Sequence, residues 1–316
     1  MIYLLLVIVA AVLHSTGFFF NSKVEKTTKP GFSSAIIFAT VSWLEILFSL
    51  LIIMRGEIVF TPFSLIMSSI HSLLVIICSF IALKALIFAD VAKYSLYMML
   101  GGMLVPFVFG IAFLKEEITL GKTLCCSVII LSLITDNIVS QKADNKKTNR
   151  RSLLYLILLF FINGSFGVLT TIHQNSTSHP HVDAVQYMLL RSVFIVSLGI
   201  IFLICRFIFL YISGRNSQTS ENRASSLKTL SCQSNVLRKR AYIYMLAYGI
   251  VYGIAEILLL YSIEHIDASV QYPAVSGVTI VCSTIISFFT KEKTTKKCIL
   301  PMIIALIGIS MLFIPI

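Results

Sequence analysis

The sequence predicts an all-α integral membrane protein with ten transmembrane helices, arranged as two inverted five-helix repeats. Hydrophobic residues make up 57% of the 316-residue chain and charged residues only 12%, whereas a soluble domain carries about 25% charged residues. The mean hydropathy is +0.93. Ten long apolar runs follow one another along the chain, and a Lys-Glu turn ends an apolar run once in each half.

Each apolar run is long enough for a helix that crosses a membrane, because a hydrocarbon core of ~30 Å needs about 20 residues. The runs are continuously apolar and do not alternate at every second residue, which excludes a transmembrane β-barrel. Together they leave almost no room for a soluble domain. The predicted spans are 2–20, 33–54, 63–87, 91–114, 120–139, 152–172, 182–212, 241–262, 268–290 and 297–315.

The basic residues, cysteines and loop histidines indicate no further partner. The net charge is +11, but the bases lie in short loops, where they orient helices and meet anionic lipid headgroups, so no nucleic acid is expected. The seven cysteines contain no CxxC pair and resemble small hydrophobes. Loop 173–181 holds histidines without helical spacing or carboxylates, so we expect them to be solvated. We predict neither a metal site nor a cofactor.

The two Lys-Glu turns divide the chain into two copies of one unit. Lys115-Glu116 and Lys291-Glu292 occupy matching places once the polar stretch 214–240 is set aside. That stretch is rich in Ser, Asn, Arg and Gln, which predicts a disordered basic loop. Because each copy holds an odd number of helices, the second copy enters the membrane upside down. The predicted units are a first repeat at 1–140, a basic linker at 141–151 and a second repeat at 152–316.

Several short motifs recur at corresponding positions of the two halves. The motifs are Ala82-Leu83-Lys84, Pro106 and Lys115-Glu116 in the first half, and Tyr272-Pro273, Gly277 and Lys291-Glu292 in the second. With the ten spans, this pattern resembles the drug/metabolite transporter superfamily, in its EamA-like branch. The resemblance implies a ten-helix secondary carrier of a small molecule such as an amino acid, nucleoside, amine, sugar or drug.

Ionisable residues inside the apolar spans are the candidate functional residues. Burying a charge in a bilayer is costly, so each such residue is a functional candidate. Counted from one membrane face, they lie at depths of about 10 to 18 Å, near the middle of the core. A purely structural ion network of Glu45, Arg191 and Glu256 stays open as the alternative. The candidate substrate-binding residues are His14, Glu45, His71, Asn163, Arg191, Tyr248, Tyr252 and Glu256.

The charges in this layer favour a cationic substrate. Arg191 and Glu256 enter from the same face on consecutive helices, so we expect them to pair. With Glu45 added, two carboxylates face one guanidinium, which favours a substrate with an amine. Tyr248 and Tyr252 lie on roughly the helical face of Glu256, and their rings are expected to contact that cation.

The architecture and the resemblance predict a secondary transporter, or permease, that moves a small polar or amphipathic molecule by alternating access. The chain contains no Walker-type loop for ATP, so we expect an ion gradient to supply any energy. An intramembrane enzyme is one alternative, but HExxH, GxSxG and aspartyl-pair motifs do not occur and we predict no enzyme. A receptor or scaffold is the other, although it does not need two inverted copies.

We expect a small-molecule substrate, a coupling ion and membrane lipids as partners, and a homodimer stays open. The expected location is the bacterial plasma (inner) membrane.

The orientation of the chain in the membrane stays open. Most Lys and Arg residues lie in loops on the side away from the termini, which by the positive-inside rule puts the termini outside. The family resemblance implies termini in the cytoplasm.

Deleting 217–232 from the basic loop 214–240 is expected to leave membrane insertion and transport unchanged, because the composition of that loop cannot form a core. Insertion is measured by membrane fractionation and transport by uptake into vesicles. Loss of folding, with the flanking basic residues still present, would contradict the prediction.

Overall fold

The computed structural model describes residues 2–28, 31–54, 58–113, 120–143, 150–174, 176–216, 239–263, 268–290 and 295–311. All regular elements within these ranges are α-helices. Both Lys-Glu turns and most of loop 214–240 lie outside the described residues. The helices are α1 Ile2–Thr27, α2 Phe32–Ile53, α3 Pro62–Phe88, α4 Val91–Phe113, α5 Leu120–Ala143, α6 Arg150–Gln174, α7 Ala184–Asn216, α8 Lys239–Ile263, α9 Ala268–Phe289 and α10 Thr295–Ser310.

Seven of the described helices, α1 to α4 and α6 to α8, are long and apolar enough to cross a membrane. Helices α5, α9 and α10 contain shorter apolar stretches. Large apolar side chains such as Phe113, Phe207 and Phe209 are exposed on the outside of the bundle, which is typical of a surface that faces lipid. These features fit a multi-pass helical membrane protein, as the sequence predicted.

Side-chain caps fix the starts of the helices around the interior. Thr61 accepts a hydrogen bond from the backbone N–H of Ser64, with Pro62 at the first position of α3, a favourable combination at a helix start. Asp90 caps α4 in the same way by accepting from the N–H of Lys93 at 2.8 Å. Such caps provide a hydrogen-bond acceptor for N–H groups that have no partner within the first turn, and they set where each helix begins.

The helices pack across the two halves of the chain more than within them. Helix α1 lies along α8 and α9, and α6 lies along α3 and α4. Helix α2 contacts α7 and α8, α3 contacts α7, α4 contacts α9, and α5 contacts α10. Glycines allow the closest approaches: a Cβ on Gly101 of α4 would collide with the backbone of Phe160 in α6. Small residues at such crossings let membrane helices approach closely.

A buried ion pair joins α4 to α5. Lys93 Nζ lies 2.9 Å from Asp136 Oδ2, and the Tyr97 hydroxyl donates to the same oxygen at 3.3 Å. Asp136 is 1% exposed. Neither residue was among the candidates from sequence, since Lys93 lies two residues and Asp136 three residues inside the predicted end of its span. Packing of neighbouring helices nevertheless buries both side chains.

Replacing Asp136 with Asn should destabilise the protein by about 3 kcal/mol, because the Lys93 ammonium would remain buried without its countercharge. The measurement is the free energy of unfolding in mixed detergent micelles. The double variant Lys93→Met/Asp136→Leu removes both charges and should recover most of the loss. Equal stability of Asp136→Asn and wild type would show that the pair does not hold α4 to α5.

Candidate functional site

A cavity of about 310 Å³ lies inside the bundle. Helices α1 to α4 and α6 to α9 all contribute to its wall, whereas none of the residues described in α5 and α10 lines it. It extends from Asn21 and Tyr94 to Gln174 and Ala184, where α6 ends and α7 begins. The cavity therefore reaches close to the α6–α7 end of the bundle and stops short of the ends of α1 and α3 on the other side.

The structure brings seven of the eight candidate residues onto this cavity wall. Their role in binding a substrate stays a prediction, but the structure brings them together from five helices, α1, α3, α6, α7 and α8. Glu45 is the candidate that does not line the cavity. The seven lining residues are His14, His71, Asn163, Arg191, Tyr248, Tyr252 and Glu256.

One part of the wall carries a carboxylate among aromatic rings. Glu256 Oε1 lies 3.8 Å from His14 Nε2. The ring of Tyr252 meets the ring of His14 edge-on at 5.0 Å and stacks on Tyr248 at 5.3 Å. The Glu256 side chain is 21% exposed, so a molecule in the cavity can reach it. This region combines a negative charge with aromatic faces, the two features that attract an organic cation.

Another part of the wall carries a guanidinium in fixed orientation. Arg191 Nη1 donates to His71 Nε2 at 2.9 Å. Since Nε2 accepts, Nδ1 of His71 bears the hydrogen and donates to the Tyr187 hydroxyl at 3.3 Å. That hydroxyl donates in turn to the carbonyl of Met67 at 3.4 Å. The guanidinium also lies 4.8 Å from the centre of the Trp43 ring.

Arg191 and Glu256 are not paired in the structure, in contrast to the expectation from sequence. Each charge instead contacts a histidine from a neighbouring helix, His71 on α3 or His14 on α1. The rings of Trp43 and Tyr252, 6.5 Å apart, lie between the two regions. Sequence spacing gave the depth of each residue but not the helix that it faces. The two histidines were therefore identified as candidates, but not as the partners of Glu256 and Arg191.

Glu45 lies at the contact between α2 and α8. Its carboxylate packs against the backbone of Gly249, and its Oε2 atom is buried without a hydrogen-bond partner among the described residues. Successive helical residues are about 100° apart. Trp43 faces the cavity, and Glu45, two residues further along, lies on nearly the opposite side of α2. Ser42 lies between these two directions and lines the edge of the cavity.

Residues that the sequence analysis did not select complete the wall. Asn21 donates to the Tyr94 hydroxyl at 3.2 Å, and Trp43 lies beneath Arg191. Polarity near the end of an apolar span was the available signal for Asn21. The candidate Asn163 donates its amide to the carbonyl of Met98 at 2.7 Å, so one of its hydrogen bonds joins α6 to α4.

The expectation of solvated histidines in loop 173–181 is wrong for His173, which is fully buried. Its ring stacks on Tyr187 at 4.0 Å, and its Nε2 lies 2.8 Å from the hydroxyl of Ser64. In the structure His173 belongs to the last turn of α6, and packing of that turn against Ser64 of α3 and Tyr187 of α7 removes the ring from water. No group of three or more potential metal ligands occurs in the described part of the chain.

Neither a protein-family model nor a curated protein matches the sequence. The structure is similar to a solved structure described as "Crystal structure of protein", with a TM-score of 0.57 and 12% sequence identity. The similarity covers 97% of this chain and 95% of that chain. At this identity the likeness concerns the fold alone. The resemblance to drug/metabolite transporters stays a prediction.

Replacing Arg191 with Met should change the fluorescence of Trp43, because it removes the guanidinium that lies against the indole ring, a contact of about 0.5 to 2 kcal/mol. Trp43 is the one tryptophan of the chain, so the emission spectrum reports on this contact directly. Arg206→Met, four turns further along α7, is the matched control and should leave the spectrum unchanged. Identical spectra for all three proteins would contradict the geometry.

Proposed function

We propose that the protein is a secondary transporter, or permease, that moves a small polar or amphipathic molecule across a membrane by alternating access. The observation that carries the proposal is the cavity between α1–α4 and α6–α9, which holds ionisable side chains inside a bundle of apolar helices. Ionisable groups in such a place mark substrate or ion pathways. The proposed location is the bacterial plasma membrane, as the sequence analysis suggested.

The helix contacts support two inverted repeats of five helices. If α1 to α5 correspond in order to α6 to α10, each contact in one half should have an equivalent in the other. The contacts of α1 with α8 and α9 are indeed matched by those of α6 with α3 and α4. Three further contacts, α2 with α7, α4 with α9 and α5 with α10, join a helix to its own counterpart in the other repeat. Two equivalent halves around one cavity are the arrangement in which exchange of their conformations opens the site to each side in turn.

The chemistry of the wall favours an amine-bearing substrate. Glu256 offers a carboxylate, and Tyr248 and Tyr252 offer aromatic faces beside it. A volume of about 310 Å³ is at the lower end of the range for small-molecule sites. Arg191, held against His71 and Trp43, lies in another part of the same cavity and is available to an acceptor group of the substrate.

The proposal is tested by uptake of a panel of small amines into liposomes that contain the purified protein, compared with empty liposomes. Time-dependent, saturable uptake of at least one compound is expected. Binding to the purified protein without uptake would favour a receptor, and chemical conversion of the compound would favour an enzyme.

For an amine that is transported, Glu256→Gln should lower uptake at low substrate concentration at least about tenfold, since loss of one charge contact costs more than about 1.4 kcal/mol. Glu25→Gln is the matched control, because Glu25 lies near the end of α1 and does not line the cavity; its uptake should equal that of wild type. Folding of both variants is checked by size-exclusion chromatography. Equal uptake by Glu256→Gln and wild type would remove Glu256 from the proposed site.

A further inference from the structure

Glu45 combines a position near mid-membrane with an incomplete set of partners. It lies eight residues before the end of α2, a depth of about 12 Å. The carboxylate lies where a Cβ on Gly249 would be, close to the backbone of Ser42. Both Glu45 Oε2 and Ser42 Oγ are buried without a hydrogen-bond partner among the residues that the structure describes. Two unused polar atoms therefore lie one turn apart on the same helix.

No cation of the described residues forms a salt bridge with this carboxylate. Arg191 is held by His71 and Trp43, and His14 contacts the other carboxylate, Glu256. An ionised carboxylate without a countercharge at this depth costs at least about 2.5 kcal/mol on insertion scales. The position therefore favours an occupant that brings positive charge.

A proton fits this position better than a metal ion. Hard metal cations need six or more oxygen ligands, and the helix carbonyls around Glu45 are used within their own helices. A proton needs only the carboxylate oxygen, and the resulting acid can donate a hydrogen bond where the carboxylate could not. Addition of a proton to the carboxylate gives a neutral carboxylic acid, and its release to water restores the charge.

The α2–α8 contact connects this position to the cavity. Ser42, three residues before Glu45 and thus on nearly the same helical face, lines the cavity and offers a route for protons from cavity water. Trp43 on the same turn supports Arg191. A shift of α2 against α8 that makes room for a charged, hydrated carboxylate would therefore also move the indole beneath Arg191.

We infer that Glu45 is a proton-binding site at the α2–α8 contact, separate from the substrate cavity, and that this proton is the coupling ion of the transporter. The coupling part rests on the proposed function, whereas proton binding does not. The proton is taken up from water on one side of the membrane and released on the other as α2 and α8 change their contact.

Other titratable or charged groups lie on the helices that pack against α2, and the experiments must separate them from Glu45. Unlike Glu45, these groups line the cavity. These groups are His71 on α3, Tyr187 and Arg191 on α7, and Tyr248, Tyr252 and Glu256 on α8.

The first experiment titrates the purified protein by infrared difference spectroscopy and follows the C=O stretch of protonated carboxyl groups, without any substrate. Glu45→Gln, which keeps the shape of the side chain, should lose a protonated-carboxyl band that wild type and Glu256→Gln retain. Persistence of the full wild-type band set in Glu45→Gln would overturn the inference.

A second pair of variants tests the position without removing the carboxyl group. Gly249→Ala places a methyl group where the carboxylate lies and should shift the pH midpoint of the Glu45 band. Gly253→Ala, one turn further along α8, meets the side chain of Ile46 instead and should leave the midpoint unchanged. Equal midpoints in the two variants would place the titrating group elsewhere.

The coupling part is tested in liposomes with an amine that the panel identifies as transported. Under an imposed pH gradient, wild type should accumulate the amine above its equilibrium distribution, whereas Glu45→Gln should only equilibrate it. Exchange of labelled for unlabelled amine should persist in Glu45→Gln. Unchanged accumulation in this variant would overturn coupling through Glu45. Absence of transport in wild type would overturn the proposed function and the coupling, while the infrared titration would still decide proton binding.

Discussion

A charged side chain inside a hydrocarbon layer must find an opposite charge, a hydrogen-bond partner or water. This constraint accounts for the positions of four charged residues. Lys93 pairs with Asp136 between α4 and α5, and Arg191 and Glu256 each lie against a histidine from another helix. Because these partners come from different helices, satisfying the charges also fixes which helices meet. The cavity lies where the remaining polar groups face one another.

Close packing of backbones is the second condition for this arrangement. Apolar attraction between helices is weak in lipid, so van der Waals contact and hydrogen bonds between helices carry the association. Gly101 lets α4 approach α6, and Gly249 lets α2 approach α8. Asn163 adds a hydrogen bond to α4 in the same crossing as Gly101. Small residues and polar side chains thus act at the same contacts.

Much of the helical framework was predictable from sequence, since apolar length is a local property: the span predicted at 63–87 is the helix Pro62–Phe88. The ionisable residues of the cavity were also identifiable, because a charge within an apolar run stands out. The direction in which each side chain points could not be predicted, since it depends on how a helix is rotated against its neighbours. Glu45 and Trp43 are two residues apart, yet they face different surroundings. Burial of His173 depends on how the end of α6 packs against α3 and α7, which no local pattern indicates.

Helices α5 and α10 pack against each other and leave the cavity wall to the other eight described helices. Substitutions that change what the cavity accepts and substitutions that change how firmly the bundle is held together can therefore arise in different parts of the chain. Such a separation lets the cavity change during evolution without loss of the contact that holds α5 to α10. It also offers α5 and α10 as places to attach a label or a binding protein at a distance from the cavity.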